Sequence, residues 1–455
     1  MFRHKSGQRG QALILVVFGM VALIGVTAVA IDGGSAYSDR RHAQNAADTS
    51  VLAAGLAKIR NPIACWNPGS TTLCTLARDA GLTRAEENGY DNDDPNKVVN
   101  VYECTDAAAS CVLPAGENAK DYVQVTITSV VPTYFARVVG RSDITNYVQA
   151  VARAVPPSPI PWYNGNALVA TMPGCHPPAP HDAFTLSGSS VSLVTGAGGV
   201  FVNSNCSNAF TSNGGTTMNA VAGICVVGGV VDNGGMMNPP PDDYCQPQID
   251  DDLYTLPSVG CETDGQYYDL GGGSYVVTPG NFDDPFPNVS PAGTLKLQKG
   301  IYCLKNGLTL NAGWTMTTDL DGNGIFDGSD GGEEGVLFNV ESGSVTFNGG
   351  SFIQIGAINK AGTDPGIKGY LIYLPPGNDS TVKIAGSNGS TFIGTILAPA
   401  SHITLEGGAS GDHLNLECQI IGYSIEVTGN GTLEVEYNQS KNGQTWTNPE
   451  LALYK

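Results

Sequence analysis

The sequence predicts a multidomain fold: an N-terminal transmembrane α-helix, a small α+β domain, then an all-β solenoid of the right-handed β-helix type. A β-sandwich is the alternative for the last part. Three observations carry this expectation. Ala12 to Ile31 is an uncharged, almost wholly apolar run. Pro156-Pro157-Ser158-Pro159-Ile160-Pro161 marks a stiff boundary. Beyond it, short apolar–polar–apolar runs ending in Gly recur. The divisions are 1–31 (cytoplasmic tip and membrane helix), 32–155 (α+β domain), 156–165 (Pro-rich linker), 166–440 (β-helix-like domain) and 441–455 (C-terminal tail).

The membrane run comes first. It is 20 residues long, and at about 1.5 Å per residue it spans roughly the 30 Å of a hydrocarbon core. Arg3, Lys5 and Arg9 precede it, so the positive-inside rule keeps the N-terminus in the cytoplasm and exports the rest. Arg40 and Arg41 follow the span and act against that assignment. A cleaved signal peptide is the rival reading, with Ala28-Val29-Ala30 as an A-x-A site. An apolar run of this length favours a retained anchor.

Composition agrees with an exported, turn-rich protein. Only 14% of the 455 residues are charged and 59 are Gly, yet 41% are hydrophobic, which argues against disorder. A net charge of −20 leaves no basic face for nucleic acid. All 11 cysteines follow the apolar run and none forms a C-x-x-C pair. Structural disulfides in an oxidising compartment fit that spacing better than zinc. Cys65 with Cys74, and Cys104 with Cys111, look like local staples, although sequence does not fix connectivity. The odd count leaves at least one thiol over.

Gly33-Gly34 is expected to interrupt the helical pattern, which resumes from Ser35 to Ile59 and stops before Pro62. Tyr37, Ala43, Ala47, Val51 and Ala54 fall near one face. Small residues in such a stripe permit close packing, whether against a partner helix or against the chain's own domain. Arg9-Gly10-Gln11-Ala12, the apolar span, Ala30-Ile31-Asp32-Gly33-Gly34 and Arg40-Arg41-His42-Ala43-Gln44-Asn45-Ala46-Ala47-Asp48 closely resemble the N-terminus of TadE/TadG-like proteins of Flp (Tad) pilus machinery. Val123 to Ile127, Pro132-Thr133-Tyr134-Phe135 and Ala150 to Ala154 also look like the end of that family's N-terminal module. The resemblance implies a pilin-like α+β domain and pilus subunits as partners. Processed pseudopilins of the system carry Glu five residues after the cleavage-site Gly. Leu15 stands there after Gly10, which favours the uncleaved, TadG-like type.

Within 60–155, Val123 to Thr128 and Tyr147 to Val155 read as strands, with a short helix from Tyr134 to Val139 between them. After the linker, five runs share one pattern. They start at Phe184, Val345, Val382, Ile403 and Ile425, and the last three starts lie 21 and 22 residues apart. That is a solenoid coil length. One such coil cannot bury its own apolar side, so stacked neighbours must supply the core. Thr391 to Pro399, Ile403-Thr404-Leu405 and Gln419 to Gly422 resemble the final coils of surface β-helix modules, including ice-binding-like and choice-of-anchor adhesin-like domains. No regular Thr-x-Thr array accompanies them, so ice binding is not implied.

The sharpest chemical motif runs from Asp319 to Asp330. It fits a 12-residue calcium loop, with Asp319, Asp321, Asn323, Gly324, Asp327 and Asp330 at positions 1, 3, 5, 6, 9 and 12. Ca²⁺ wants six to eight oxygens, and short Asp and Asn side chains at alternate positions supply them. Ile325 would give its backbone carbonyl. A solvated Asp-Gly turn has the same composition. Asp250-Asp251-Asp252, His176 and His181 carry no such pattern. No G-x-S-x-G, H-E-x-x-H or P-loop occurs. The expected protein is therefore a membrane-anchored structural component, not an enzyme. Its partners are the membrane, pilus-assembly subunits or pilins, and an external surface or glycan. A membrane-tethered carbohydrate-active β-helix enzyme is the alternative, since 42 acidic residues can pair in any fold.

Overall fold

The computed structural model describes residues 9–454 apart from 62–64, 66–72, 176–181, 189–191, 243–244, 248–255, 257–258, 328–333, 359–366, 386, 388 and 409–412. The chain forms two units: residues 1–158 with 446–455, and residues 159–445.

The first unit is organised by one long helix, α1 (Arg9–Arg60). Its leading half is long and apolar enough to cross a membrane, and side chains from Leu13 to Ile31 are largely exposed. Its second half is a packing element. Ala43, Ala46, Ala47, Val51 and Ala54 are fully buried. A second helix, α2 (Thr75–Glu87), crosses beside it. The close approach needs glycine: a Cβ on Gly81 would sit 3.1 Å from Val101 and 3.2 Å from Ala54. Both helices share one apolar core with an antiparallel sheet of β1 (Lys97–Glu103), β2 (Tyr122–Pro132) and β3 (Asp143–Val155). Glu450–Tyr454 completes that sheet by pairing antiparallel with β3.

Four expectations need correction here. Gly33-Gly34 does not break the helix, which runs through both residues. Each Gly costs a helix interior about 1 kcal/mol, and the flanking Asp32 and Ala36, both buried, hold the register against the domain. Tyr37 is 64% exposed. It lies six residues before Ala43, about 120° off the stripe at 100° per residue, whereas Ala36 lies seven before and is buried. Further, 441–455 is not merely a tail, because its last strand closes the sheet of the first unit. The expected helix from Tyr134 to Val139 is a 3₁₀ turn at Ala136–Val139.

The second unit is solenoid-like. Its strands lie mainly in two sheets of 11 and 15 strands, whose ladders are parallel except at Tyr267–Gly271 with Ser274–Val277. Antiparallel sandwich strands would pair in the opposite sense. The five recurring runs form one stack, in the order Val345, Val382, Ile403, Ile425, Phe184. In each run the first and third residues are fully buried, for example Val382 with Ile384 and Ile403 with Leu405. The residue between them is turned outward: Lys383, on such a position, bridges Glu406 at 2.6 Å. Gly407 and Gly429 end two neighbouring runs side by side. Gly429 has φ +109°, and a Cβ there would lie 2.2 Å from the Gly407 carbonyl oxygen. No other residue fits that corner.

Stacking order is not sequence order. The run at Phe184, first in sequence, sits on Ile425 near the C-terminal end. Ser192–Thr195 likewise lies between Thr432–Val435 and Thr217–Ala220. The early coils therefore extend the stack beyond the last ones. The linker expectation is also narrowed. Trp162 and Tyr163 are buried in this unit, and the Trp162 indole donates to the Tyr370 hydroxyl at 2.7 Å.

Candidate functional site

Two constellations stand out, one in each unit. The first is the expected calcium loop, which follows the strand Thr315–Thr317. Thr318 clamps its base: its hydroxyl donates to the Phe326 carbonyl at 2.6 Å and accepts from Gly356 N–H at 3.2 Å. The arch is a series of side-chain-closed turns. Asp319 accepts from the amides of Gly322 at 2.6 Å and Gly324 at 3.0 Å. Asp321 accepts from Asn323 N–H at 3.0 Å, and Asn323 Oδ1 from Ile325 N–H at 2.7 Å. Gly322 and Gly324 take positive φ, +82° and +85°. Asp321 and Asn323 are exposed, while Asp327 is buried at the base. The structure thus brings Asp319, Asp321, Asn323 and Ile325 onto one arch with Asp327 below it. Asp330 lies outside the described residues, as do Asp250-Asp251-Asp252, His176 and His181. Among the described residues no group of three or more His, Cys, Asp or Glu side chains is gathered to hold a metal.

The second constellation was missed by sequence reasoning. Asp32, the first ionisable residue after the apolar span, is buried. Its carboxylate accepts three backbone N–H bonds, from Tyr134 (2.8 Å), Phe135 (3.0 Å) and Ala136 (2.7 Å). These amides open the 3₁₀ turn, where a carboxylate is favoured. Burial alone would raise the Asp32 pKa, but the three N–H bonds outweigh it and hold the group below the usual carboxylate range. Seven residues on, Asp39 accepts from the hydroxyls of Ser129 (2.5 Å) and Tyr90 (3.1 Å) and from the Asn146 amide (2.7 Å). Burial, then the Asp39 charge, pushes the Tyr90 phenol above its ordinary pKa. Asn146 also donates to the Ala36 carbonyl at 3.0 Å. The signal was present in the sequence: two acids seven apart lie on the same helix face as Ala36 and Ala43. Together they fix the helix to its own domain just beyond the span.

Five disulfides join Cys65–Cys74, Cys104–Cys111, Cys175–Cys206, Cys225–Cys245 and Cys261–Cys303. Both local pairs expected from spacing are among them. Cys418 remains a thiol, fully enclosed, and burial pushes its pKa far above the ordinary range. A buried, protonated thiol of this kind is inert.

A long apolar helix continued into a carboxylate-anchored α+β domain defines a single-pass, membrane-anchor-like protein. Residues 10–57 match the family model described as "Putative Flp pilus-assembly TadE/G-like". The matched segment lies wholly within α1 and contains Asp32 and Asp39. No curated protein and no solved structure matches the chain.

Proposed function

We propose that the chain is a membrane-anchored, TadG-like pilus-assembly or minor-pilin structural protein. Its second unit is a right-handed β-helix that binds other pilus subunits or an external surface, and its work is binding rather than catalysis. One observation carries this reading: the segment that matches the pilus-assembly family is the helix whose exposed apolar half can span a bilayer and whose other half builds the first unit's core. In this reading the N-terminus stays in the cytoplasm and is retained, because cleavage after Ala30 would cut the anchor from Asp32. The disulfides suit an exported domain. Copurification after crosslinking in intact cells tests the partners. Pilins or pilus-assembly subunits should be captured with the full-length chain and lost when residues 159–445 are removed. Capture of neither would overturn the reading.

Calcium completes the proposal. Asp319, Asp321, Asn323, Asp327, Asp330 and the Ile325 carbonyl would hold one structural Ca²⁺. The arch already presents the first three at alternate positions. Extracellular sites bind weakly, with Kd on the order of 10⁻⁴ to 10⁻³ M. At 10 mM calcium, roughly ten- to a hundredfold above such a Kd, the stabilisation is about 1.4–2.7 kcal/mol. Calcium should therefore raise the melting temperature of the second unit, magnesium should do less, and Asp321→Ala should remove most of the difference. Identical melting of wild type and Asp321→Ala, with and without millimolar calcium, would leave only a solvated turn.

A further inference from the structure

The turn held by Asp32 lies at the edge of the membrane, and we propose that it is a second membrane contact: a loop seated on the phospholipid headgroups. The inference rests on the membrane-spanning reading of α1 and adds to it. Asp32 immediately follows Ile31, the last residue of the exposed apolar run. Its carboxylate holds the amides of Tyr134, Phe135 and Ala136 within 3.0 Å. The turn is therefore fixed at the level where α1 leaves the hydrocarbon.

What the turn carries suits that level. Tyr134 is 72% exposed and Phe135 37%. Tyr134 is left in solvent and Phe135 is partly exposed beside it, and the domain's own core does not account for them. Aromatic rings collect at the membrane–water boundary, where an apolar body meets a polar rim. Arg137 and Arg141 are also exposed, and guanidinium groups pair with phosphate. The acidity of the chain is locally relieved: the whole carries −20, yet the two Arg of residues 133–147 match the charges of Asp143 and of the Asp32 carboxylate on the turn. Tyr37 on α1, 64% exposed, lies only about 7.5 Å above Asp32 at 1.5 Å per residue. That distance is within the headgroup layer.

The inference also gives Asp32 a purpose. A single helix can tilt and rotate freely in a bilayer. A turn clamped to the helix and seated on headgroups gives the first unit a second point of attachment, which fixes its tilt and rotation. The bond network is internal to this unit, so no other protein is required to form it.

The test uses the full-length chain reconstituted into vesicles of phosphatidylcholine with a minority of phosphatidylglycerol. The photoreactive residue p-benzoylphenylalanine replaces, one at a time, Tyr134, Phe135, Leu23 in the span, and Val112. Val112 follows the Cys104–Cys111 disulfide, which starts one residue after Glu103 at the end of β1, and is 83% exposed. Lys58 marks that end, about 39 Å along the helix from Asp32, and bonds Glu103 at 2.7 Å. After illumination, lipid adducts are measured by mass spectrometry. Tyr134 and Phe135 should give adducts at least about tenfold above Val112 and approaching Leu23, as expected for interfacial aromatics. In the Tyr134 photoreactive protein, Arg137→Ala with Arg141→Ala should shift the remaining adducts away from phosphatidylglycerol. Adducts at Leu23 with neither turn position above Val112 would overturn the inference and leave the span intact. Crosslinks from the turn to a second copy of the chain would overturn it as well. No adduct at Leu23 would overturn the span and, with it, this inference.

Discussion

Glu103→Ala should destabilise the first unit by about 3–5 kcal/mol, because it strands a buried ammonium group. Lys58 is fully buried, and its Nζ lies 2.7 Å from Glu103 Oε1. The ammonium also donates to the Lys120 carbonyl, and Thr105 donates to Glu103 Oε2 at 2.8 Å. Burial pushes the Lys58 pKa below its ordinary value, with Glu103 opposing the shift. The pH dependence follows from that direction. In the folded state Lys58 gives up its proton at a lower pH than in the unfolded chain. Between those two pKa values the unfolded chain binds more protons, so stability rises with pH across that window. Removing Glu103 leaves desolvation opposed only by the more distant Asp121 charge and lowers the folded pKa further. The penalty should therefore be largest near neutrality and shrink as the pH is raised. Lys58→Met with Glu103→Leu should recover most of the loss, since an apolar pair of similar volume leaves no charge buried. Thermal and denaturant unfolding of the three variants checks this. A loss under about 0.5 kcal/mol for Glu103→Ala, typical of a surface pair, would show that the contact is solvated.

Phe338→Ala should have a comparable effect on the second unit, about 3–5 kcal/mol. Phe338 is fully enclosed, with ring centroids 5.5 Å from Tyr302 and 6.1 Å from Phe286. Tyr302 is itself buried, and its hydroxyl shares its one proton between the carbonyls of Gln298 at 2.7 Å and Val277 at 2.8 Å. Its neighbours cannot collapse into the cavity without breaking those bonds, so the upper half of the range is expected. Phe338→Leu should cost clearly less, because it keeps most of the buried volume. In a solenoid each coil touches only its neighbours. Hydrogen exchange should accordingly accelerate first around Gly300–Leu304 and Val336–Val340, the two strands paired there. Uniform acceleration across the unit would instead mean that it unfolds as one block.

The sequence revealed features whose signals are local. An unbroken apolar run gives a helix long and apolar enough to cross a membrane, whatever follows it. Alternating residues with a terminal Gly gave five strand positions, and all five meet in register because each needs an apolar neighbour above and below. Cysteines separated by 9 and 7 residues are close in any compact chain, hence the two local disulfides. What escaped was non-local. Nothing in Glu450–Tyr454 announces that its partner is β3, some 300 residues earlier in the chain. The even coil spacing holds only between Val382 and Ile425. From Val345 to Val382 the chain makes a longer excursion before it returns to the stack. Phe184 shares the pattern yet lies far away in sequence, so periodicity alone could not seat it on Ile425. Asp32 and Asp39 were overlooked because helix-surface acids are usually solvated. Only their partners, Tyr134 in the turn and Ser129 and Asn146 in the sheet, reveal them as anchors.

In the proposed function a retained N-terminal helix holds the rest of the chain outside the cytoplasm. Alkaline phosphatase folds to an active form only in an oxidising compartment, so a fusion placed after Lys455 reports where the C-terminus lies. Phosphatase activity should appear and remain with the membrane pellet after carbonate extraction. An inactive fusion would contradict the orientation, and an active but soluble one would contradict the anchor by showing that the chain is cleaved near Ala30.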